Sequence, residues 1–274
     1  MENVLLNLDK IRQTYGDQEV VKDLSLTLER GKIGCLLGSS GCGKTTVLRC
    51  IAGFEAPDSG VTFVASEAVN ALPVENRPVG FIFQRHALFP HMNVYDNIAV
   101  GPRTRKMPEK EIDLQVTEML RILKLTSKRN GLPLQISGGE SQRVALARAL
   151  APRPRVMLMD EPFSALDALT REEMGFELQK IWMEKPKTVL FITHSISEAV
   201  LLADKVLVMG PRPSTVLEEI NIDLPRPRDI HTLQDPTFGA YTNKIREYFY
   251  RSEKKNETDR KDKDNVAPIR RTVA

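Results

Sequence analysis

Apolar positions along this chain alternate, run together or recur at helical spacing in an order that predicts an α/β protein. From Val4 to Leu28 the alternating apolar runs are broken by Tyr15-Gly16-Asp17, which predicts strands joined by a turn. Lys32 to Leu37 is a short apolar run ending at a glycine, the pattern of a buried strand entering a loop. Lys44 to Ala52 follows with helical spacing, is closed by Gly53, and has Pro57 beyond it. Further short runs at Val79–Phe83, Val156–Met159, Val189–Thr193 and Lys205–Met209 predict strands. Helical stretches between several of these predict a largely parallel sheet.

Residues from about Gln84 to Asn130 depart from this rhythm, within a helical subdomain expected over about 85–155. They are rich in charged and helix-forming types, with Ile112, Val116, Met119, Leu120 and Leu123 at helical spacing, and are predicted to form a small helical insertion in a domain spanning 1–250. Over 251–274 roughly half the residues are charged and little is left to bury, which predicts a disordered tail whose plainest role is to keep the chain soluble.

Composition narrows the class without naming a function. A chain of 274 residues with 41% hydrophobic residues can bury an ordinary core. A net charge of +3, from 39 basic and 36 acidic residues, is too balanced for a protein whose main partner is a nucleic-acid backbone, so no nucleic acid is expected. Cys35, Cys42 and Cys50 have no CxxC spacing and no accompanying histidines, which argues against a zinc site or a disulfide framework and fits a reducing cytosol. The first ten residues lack the basic start and apolar stretch of a secretory signal. No run of about 18 apolar residues occurs, and the richest stretch, Val189–Met209, is interrupted by His194, Glu198, Asp204 and Lys205. Membrane association is therefore expected only through a partner.

The strongest chemical signal is Gly38, Ser39, Ser40, Gly41, Cys42, Gly43, Lys44 and Thr45, which match GxxxxGK[ST] between a predicted strand and a predicted helix, with Thr46 next. Such glycines let backbone N–H groups converge on phosphate oxygens, the helix presents its positive end, and the lysine adds a point charge. Thr45 would place its hydroxyl on Mg²⁺. A second signal is the apolar strand ending in Asp160-Glu161, since acids at the end of a buried strand are costly unless they face a site or cap a helix. Asp160 is placed to hold Mg²⁺ through water and Glu161 to polarise an attacking water. A phosphate loop alone leaves kinases, GTPases, helicases and transport ATPases open.

Ile136-Ser137-Gly138-Gly139-Glu140 discriminates among them, because it resembles the LSGGQ signature of ATP-binding-cassette (ABC) ATPases, with isoleucine first and glutamate fifth. Ser137 and Glu140 also fit a capping box that opens a helix, and the two readings are compatible. The resemblance runs from about residue 4 to 250 and implies the fold of that family: an α/β P-loop NTPase core with a mixed, largely parallel sheet, flanking helices, an antiparallel β part and a helical subdomain. It implies that Tyr15 stacks on adenine, that Gln84 touches Mg²⁺ and senses a transmembrane partner, that Asp167 in Ser164-Ala-Leu-Asp167 contacts a second subunit, and that His194 contacts the γ-phosphate. A core or surface tyrosine and a structural histidine are the alternatives at Tyr15 and His194. In this family the signature of one subunit closes on ATP held by another, so the resemblance also implies a paired ATPase. A permease is implied too, holding the pair at the cytoplasmic face of the inner membrane, together with a solute-binding protein. An apolar groove for the permease is expected near Phe89–Tyr95.

Met209-Gly-Pro-Arg-Pro-Ser214 and Leu224-Pro-Arg-Pro-Arg228 resemble segments of the nitrate, sulfonate, taurine and bicarbonate importer ATPases; on their own they read as proline-stiffened loops with solvated arginines. Phe83–His91 instead resembles importers of polyamines and iron, which usually carry a further β-rich domain, and too few residues follow Tyr250 to build one. A small-anion importer is the expectation, with the polyamine or iron class as its alternative. Soluble ABC ATPases acting on nucleic acid or ribosomes commonly have two cassettes or a long coiled coil, and neither pattern is present.

Overall fold

The computed structural model describes residues 3–84, 87–164 and 166–249. The tail expected over 251–274 lies outside them, as do Arg85, His86 and Ala165 within segments singled out above. The chain runs through β1 (Val4–Tyr15), β2 (Gln18–Glu29), β3 (Ile33–Leu37), α1 (Lys44–Ala52), β4 (Ser59–Val64), β5 (Glu67–Ala68) and β6 (Val79–Ile82). It continues through α2 (Val94–Thr104), α3 (Glu109–Ile122), α4 (Gly138–Leu150), β7 (Val156–Asp160), α5 (Ala168–Glu184), β8 (Thr188–Thr193), α6 (Ile196–Leu202), β9 (Lys205–Met209), β10 (Val216–Asn221) and a last helix, α7, over 236–249. The predicted helix over Lys44–Ala52 appears with its Gly53 cap in the left-handed conformation at φ 86°.

Two sheets result. One is antiparallel in the order β2-β1-β4-β5, and the other has the order β10-β9-β3-β8-β7-β6, parallel except for β10. The parallel strands are buried on both faces, which is why they read as unbroken apolar runs rather than as alternation. Their side chains still divide by parity: Cys35, Met157, Phe191 and Val206 join one core with the helices, while Leu36, Leu158, Leu190 and Leu207 join the other with α1 and the antiparallel sheet. β4, β5 and β10 were not anticipated as strands; their mixed burial leaves no clean apolar run to read.

The register decides where the chemistry gathers. Leu37 pairs with Thr193, Asp160 with Ile192, and Ile82 with Met159. The loops that follow β3, β6, β7 and β8 therefore leave from one carboxyl edge of the sheet, where open α/β sheets place their ligand sites.

The region expected to be a helical insertion holds α2, α3 and α4. Arg143 of α4 reaches Glu177 of α5 at 2.8 Å, tying these helices to the rest. The expectation of solvated arginines holds at Arg212 and fails at Arg228, which is 1% exposed. The loop over 224–228 crosses the end of α6, whose last carbonyls need donors, and the Arg228 guanidinium supplies them. Arg226 reaches Leu202 O at 2.6 Å and lies over the Trp182 ring.

Candidate functional site

The loop from Gly38 to Gly43 is held open by its glycines. Gly43 has φ 109°, and a Cβ there would meet Ser214 Oγ and Val20 Cγ1, each at 3.1 Å. At Gly38 a Cβ would lie 2.8 Å from Cys42 Sγ, so the buried Cys42 side chain would have to shift. Cys42 is buried, Ser39, Ser40 and Gly41 are exposed, and α1 begins at Lys44 without any acidic residue in its first turn, so its positive end faces the loop. Lys44 is only 6% exposed, with Nζ donating to Gly38 O at 2.8 Å and Ser39 O at 2.9 Å. The loop is thus backbone drawn around one buried ammonium, a cradle that an oxyanion fits.

Asp160 ends β7 and accepts a hydrogen bond from Thr45 Oγ1 at 3.1 Å. Burial holds its carboxyl above the usual range, the Thr45 bond opposes this, and the neighbouring Glu161 charge adds to it. Two oxygen donors, one anionic and strained by burial, suit a hard divalent cation such as Mg²⁺. At Glu161 the backbone turns into the left-handed region, φ 46°, which is costly for a residue with a side chain. The turn puts its carboxylate between two partners: Gln84 Nε2 donates to Oε2 at 3.0 Å, and His194 Nδ1 lies 3.5 Å from Oε1. Gln84, Glu161 and His194 come from three different strand ends and meet only through the sheet register.

The other expected residues lie elsewhere. Tyr15 is 45% exposed, its hydroxyl donates to Glu55, and burial followed by that bond raises its pKa. Thr46 of α1 lies within hydrogen-bonding reach of the same hydroxyl. Ser137 caps α4, accepting from Glu140 N at 3.2 Å while Glu140 Oε2 accepts from Ser137 N at 2.8 Å, a complete capping box. Those bonds hold the Glu140 carboxyl below its usual range, with Lys128 3.4 Å away. Gly138 is exposed and Gly139 half-buried, and a Cβ on either would meet nothing within 4 Å. Among the described residues, neither Ser137 nor Glu140 bonds to the Gly38–Gly43 loop of its own chain. Asp167 caps α5, accepting from Thr170 N at 3.0 Å and from its hydroxyl at 2.6 Å, which lowers its pKa.

Two residues that touch or adjoin expected ones escaped the sequence reading. Glu55 anchors Tyr15 and is itself paired with Arg49 at 3.2 Å; nothing in its local sequence marks it. Glu198 accepts from Thr193 Oγ1 at 2.9 Å directly behind His194, and the tetrad Ser195-Ile-Ser-Glu198 was a signal that could have pointed to it.

Comparison with known proteins places this geometry. The "Spermidine/putrescine import ATP-binding protein PotA" of Rubrobacter xylanophilus is 44% identical over 207 residues, covering 76% of this chain and 55% of that protein. Its counterpart in Haemophilus ducreyi is 41% identical over 209 residues, covering 76% and 56%. The chain thus spans a little over half the length of the curated relatives it matches. Among solved structures, the dimeric post-hydrolysis state of the ATP-binding cassette MJ0796 bound to ADP and Pi is similar at a TM-score of 0.69 and 28% identity, covering 81% of this chain and all of that one. The cbiO1 protein of Clostridium perfringens, part of the ABC transporter complex cbiONQ, is similar at 0.72 and 27%, covering 80% and 89%. The family model described as "ABC transporter" matches residues 21–164, more than half of the sequence, and this chain belongs to the ABC transporter family.

Proposed function

We propose that this chain binds and hydrolyses ATP and that it powers solute import through a separate membrane-spanning permease. The observation that carries the reading is the gathering at one sheet edge of Lys44, the Thr45–Asp160 pair and the Gln84–Glu161–His194 group. Phosphoryl transfer requires a positioned water and neutralised charge more than covalent chemistry. The loop N–H groups and Lys44 bind the phosphates, and His194 reaches toward the terminal one. Glu161, an acceptor already oriented by two partners, holds the attacking water and takes its proton. Thr45, Asp160 and Gln84 are the groups that would hold Mg²⁺, which when bound neutralises phosphate charge. Tyr15 offers a face to adenine.

Glu161→Gln keeps the shape of the side chain and removes its basicity. ATP binding is expected to persist while turnover falls by about 10² or more. Turnover equal to that of the unmodified chain would sink the assignment.

The chain acts as a pair, the Ser137-Gly138-Gly139-Glu140 turn of each copy, whose Ser137 and Gly138 are exposed, closing with Asp167 on the phosphate loop of the other. Support comes from the dimeric MJ0796 relative and from the absence of any described bond between this turn and its own loop. The pair sits on the cytoplasmic face of the inner membrane, held by a permease and served by a solute-binding protein. No described helix is long and apolar enough to cross a membrane.

For the cargo, relatives 41–44% identical are named for spermidine and putrescine import, and they support a polyamine over the small anion expected from sequence. The anion reading keeps the support of the Met209–Ser214 and Leu224–Arg228 segments. Uptake of labelled spermidine by cells lacking this chain separates them: lost uptake supports the polyamine, whereas intact spermidine uptake with lost nitrate or taurine uptake supports the anion.

A further inference from the structure

Two helices of this chain open with the same tetrad, serine, two residues, glutamate: Ser137–Glu140 at α4 and Ser195–Glu198 at α6. At α4 the exchange is reciprocal, each residue's side chain accepting from the other's backbone N–H. At α6 half of it is missing. Ser195 Oγ still accepts from Glu198 N at 3.3 Å, but Ser195 N donates to Thr193 Oγ1 at 3.0 Å, and Thr193 Oγ1 in turn donates to Glu198 Oε2 at 2.9 Å. A buried hydroxyl has been inserted where a direct bond would serve.

The insertion has a cost. Glu198 Oε1 is left buried without a hydrogen-bond partner among the described residues, and burial pushes the carboxyl up to about 7. Ordinary helix capping does not need it, as α4 demonstrates. What the detour adds is a grip on both neighbours of His194, since Thr193 precedes it and Ser195 follows it. The His194 side chain is 58% exposed, and its one described polar contact is Glu161. Its aim therefore depends on the backbone that carries it.

We propose that Glu198 is a positioning residue for His194: by accepting a hydrogen bond from the Thr193 hydroxyl it fixes the turn that aims the imidazole at Glu161. The inference rests on the proposed roles of His194 and Glu161 in hydrolysis.

Thr193→Val and Thr193→Ser in the full chain separate positioning from packing. Val keeps the volume of this buried residue and deletes the hydroxyl; Ser deletes a buried methyl and keeps the hydroxyl. If the relay positions His194, Val lowers kcat about tenfold with ATP affinity within about twofold, and Ser stays within about threefold of the unmodified chain. Glu198→Ala lowers kcat to a similar extent, and combining it with Thr193→Val adds little, because both remove one relay. The chain has four histidines, so the His194 imidazole signal can be assigned in an NMR spectrum by its loss in His194→Ala. Val is expected to shift or broaden that signal, and Ser to leave it in place. The opposite order, Ser damaging and Val silent in both kcat and spectrum, would overturn the proposal, as would effects that multiply in the double variant. The Thr193 pair decides the matter even if Glu198→Ala fails to fold. An unmodified chain that binds no ATP would instead defeat the ATPase reading itself.

Discussion

Replacing Arg228 with methionine tests how far the fold depends on a loop that reads from sequence as a solvated connector. The guanidinium donates to Val200 O at 2.8 Å, Leu201 O at 3.3 Å, Ala203 O at 2.7 Å, Ile222 O at 3.2 Å and Leu224 O at 3.0 and 3.2 Å. Three of these carbonyls finish α6 and have no further turn of helix to satisfy them. Methionine fills most of the space and satisfies none of them. At about 2 kcal/mol for each hydrogen bond to a charged donor, orphaning five carbonyls costs ~10 kcal/mol. Against this stands the recovered expense of burying the charge: burial lowers the Arg228 pKa to about 10, which corresponds to ~3 kcal/mol. The net loss is of order 5 kcal/mol or somewhat more, since relaxation and water offset part of the difference. At roughly 2–4 °C per kcal/mol for a chain of this size, Tm should fall by about 10–20 °C. Calorimetry at a fixed scan rate reads the shift, and Arg228→Lys, with one point charge for a planar fork, should fall between. A methionine variant melting within about 2 °C of the unmodified chain would show that the carbonyls find other donors, refuting the argument.

Burial raises Glu198 from 4.5 to about 7, so between those values the folded chain keeps a proton that the unfolded chain has released. Stability from this group therefore declines as pH rises through that window and levels off above it, by about 3 kcal/mol in all. Glu198→Gln removes the slope; its Tm relative to the unmodified chain should climb between pH 5 and pH 7.5, and a constant difference would contradict the shift. Gly43→Ala forces a side chain into φ 109° against Val20, Val21 and Ser214, and nucleotide affinity should drop by about tenfold or more in a fluorescence titration; unchanged affinity would mean the loop tolerates the distortion. Glu55→Ala frees the Tyr15 ring, so the Kd for ATP should rise about threefold with kcat steady, less than the effect of Tyr15→Ala; identical values for Glu55→Ala and the unmodified chain would remove Glu55 from this supporting role.

The sequence by itself determined the glycine-rich loop before α1, the capping box that opens α4, the acid-terminated strand and their order, because each is written in a few neighbouring residues. A left-handed glycine, a lysine at a helix start and a serine three residues before a glutamate act within one or two turns of chain. It also determined the parallel core, since strands buried on both faces must be apolar throughout. Tertiary structure alone decided that Gln84, Glu161 and His194 share one spot. That depends on the pairing of Ile82 with Met159 and Asp160 with Ile192, contacts between segments far apart in the chain. It also decided that Arg228 is a buried clamp rather than a solvated charge, and that the Ser195–Glu198 tetrad diverts to Thr193 while the identical pattern at Ser137–Glu140 closes on itself. The physical reason is common to all three. A side chain's partner is set by which backbone the fold brings within about 3 Å of it, and identical local patterns meet different backbones in different places.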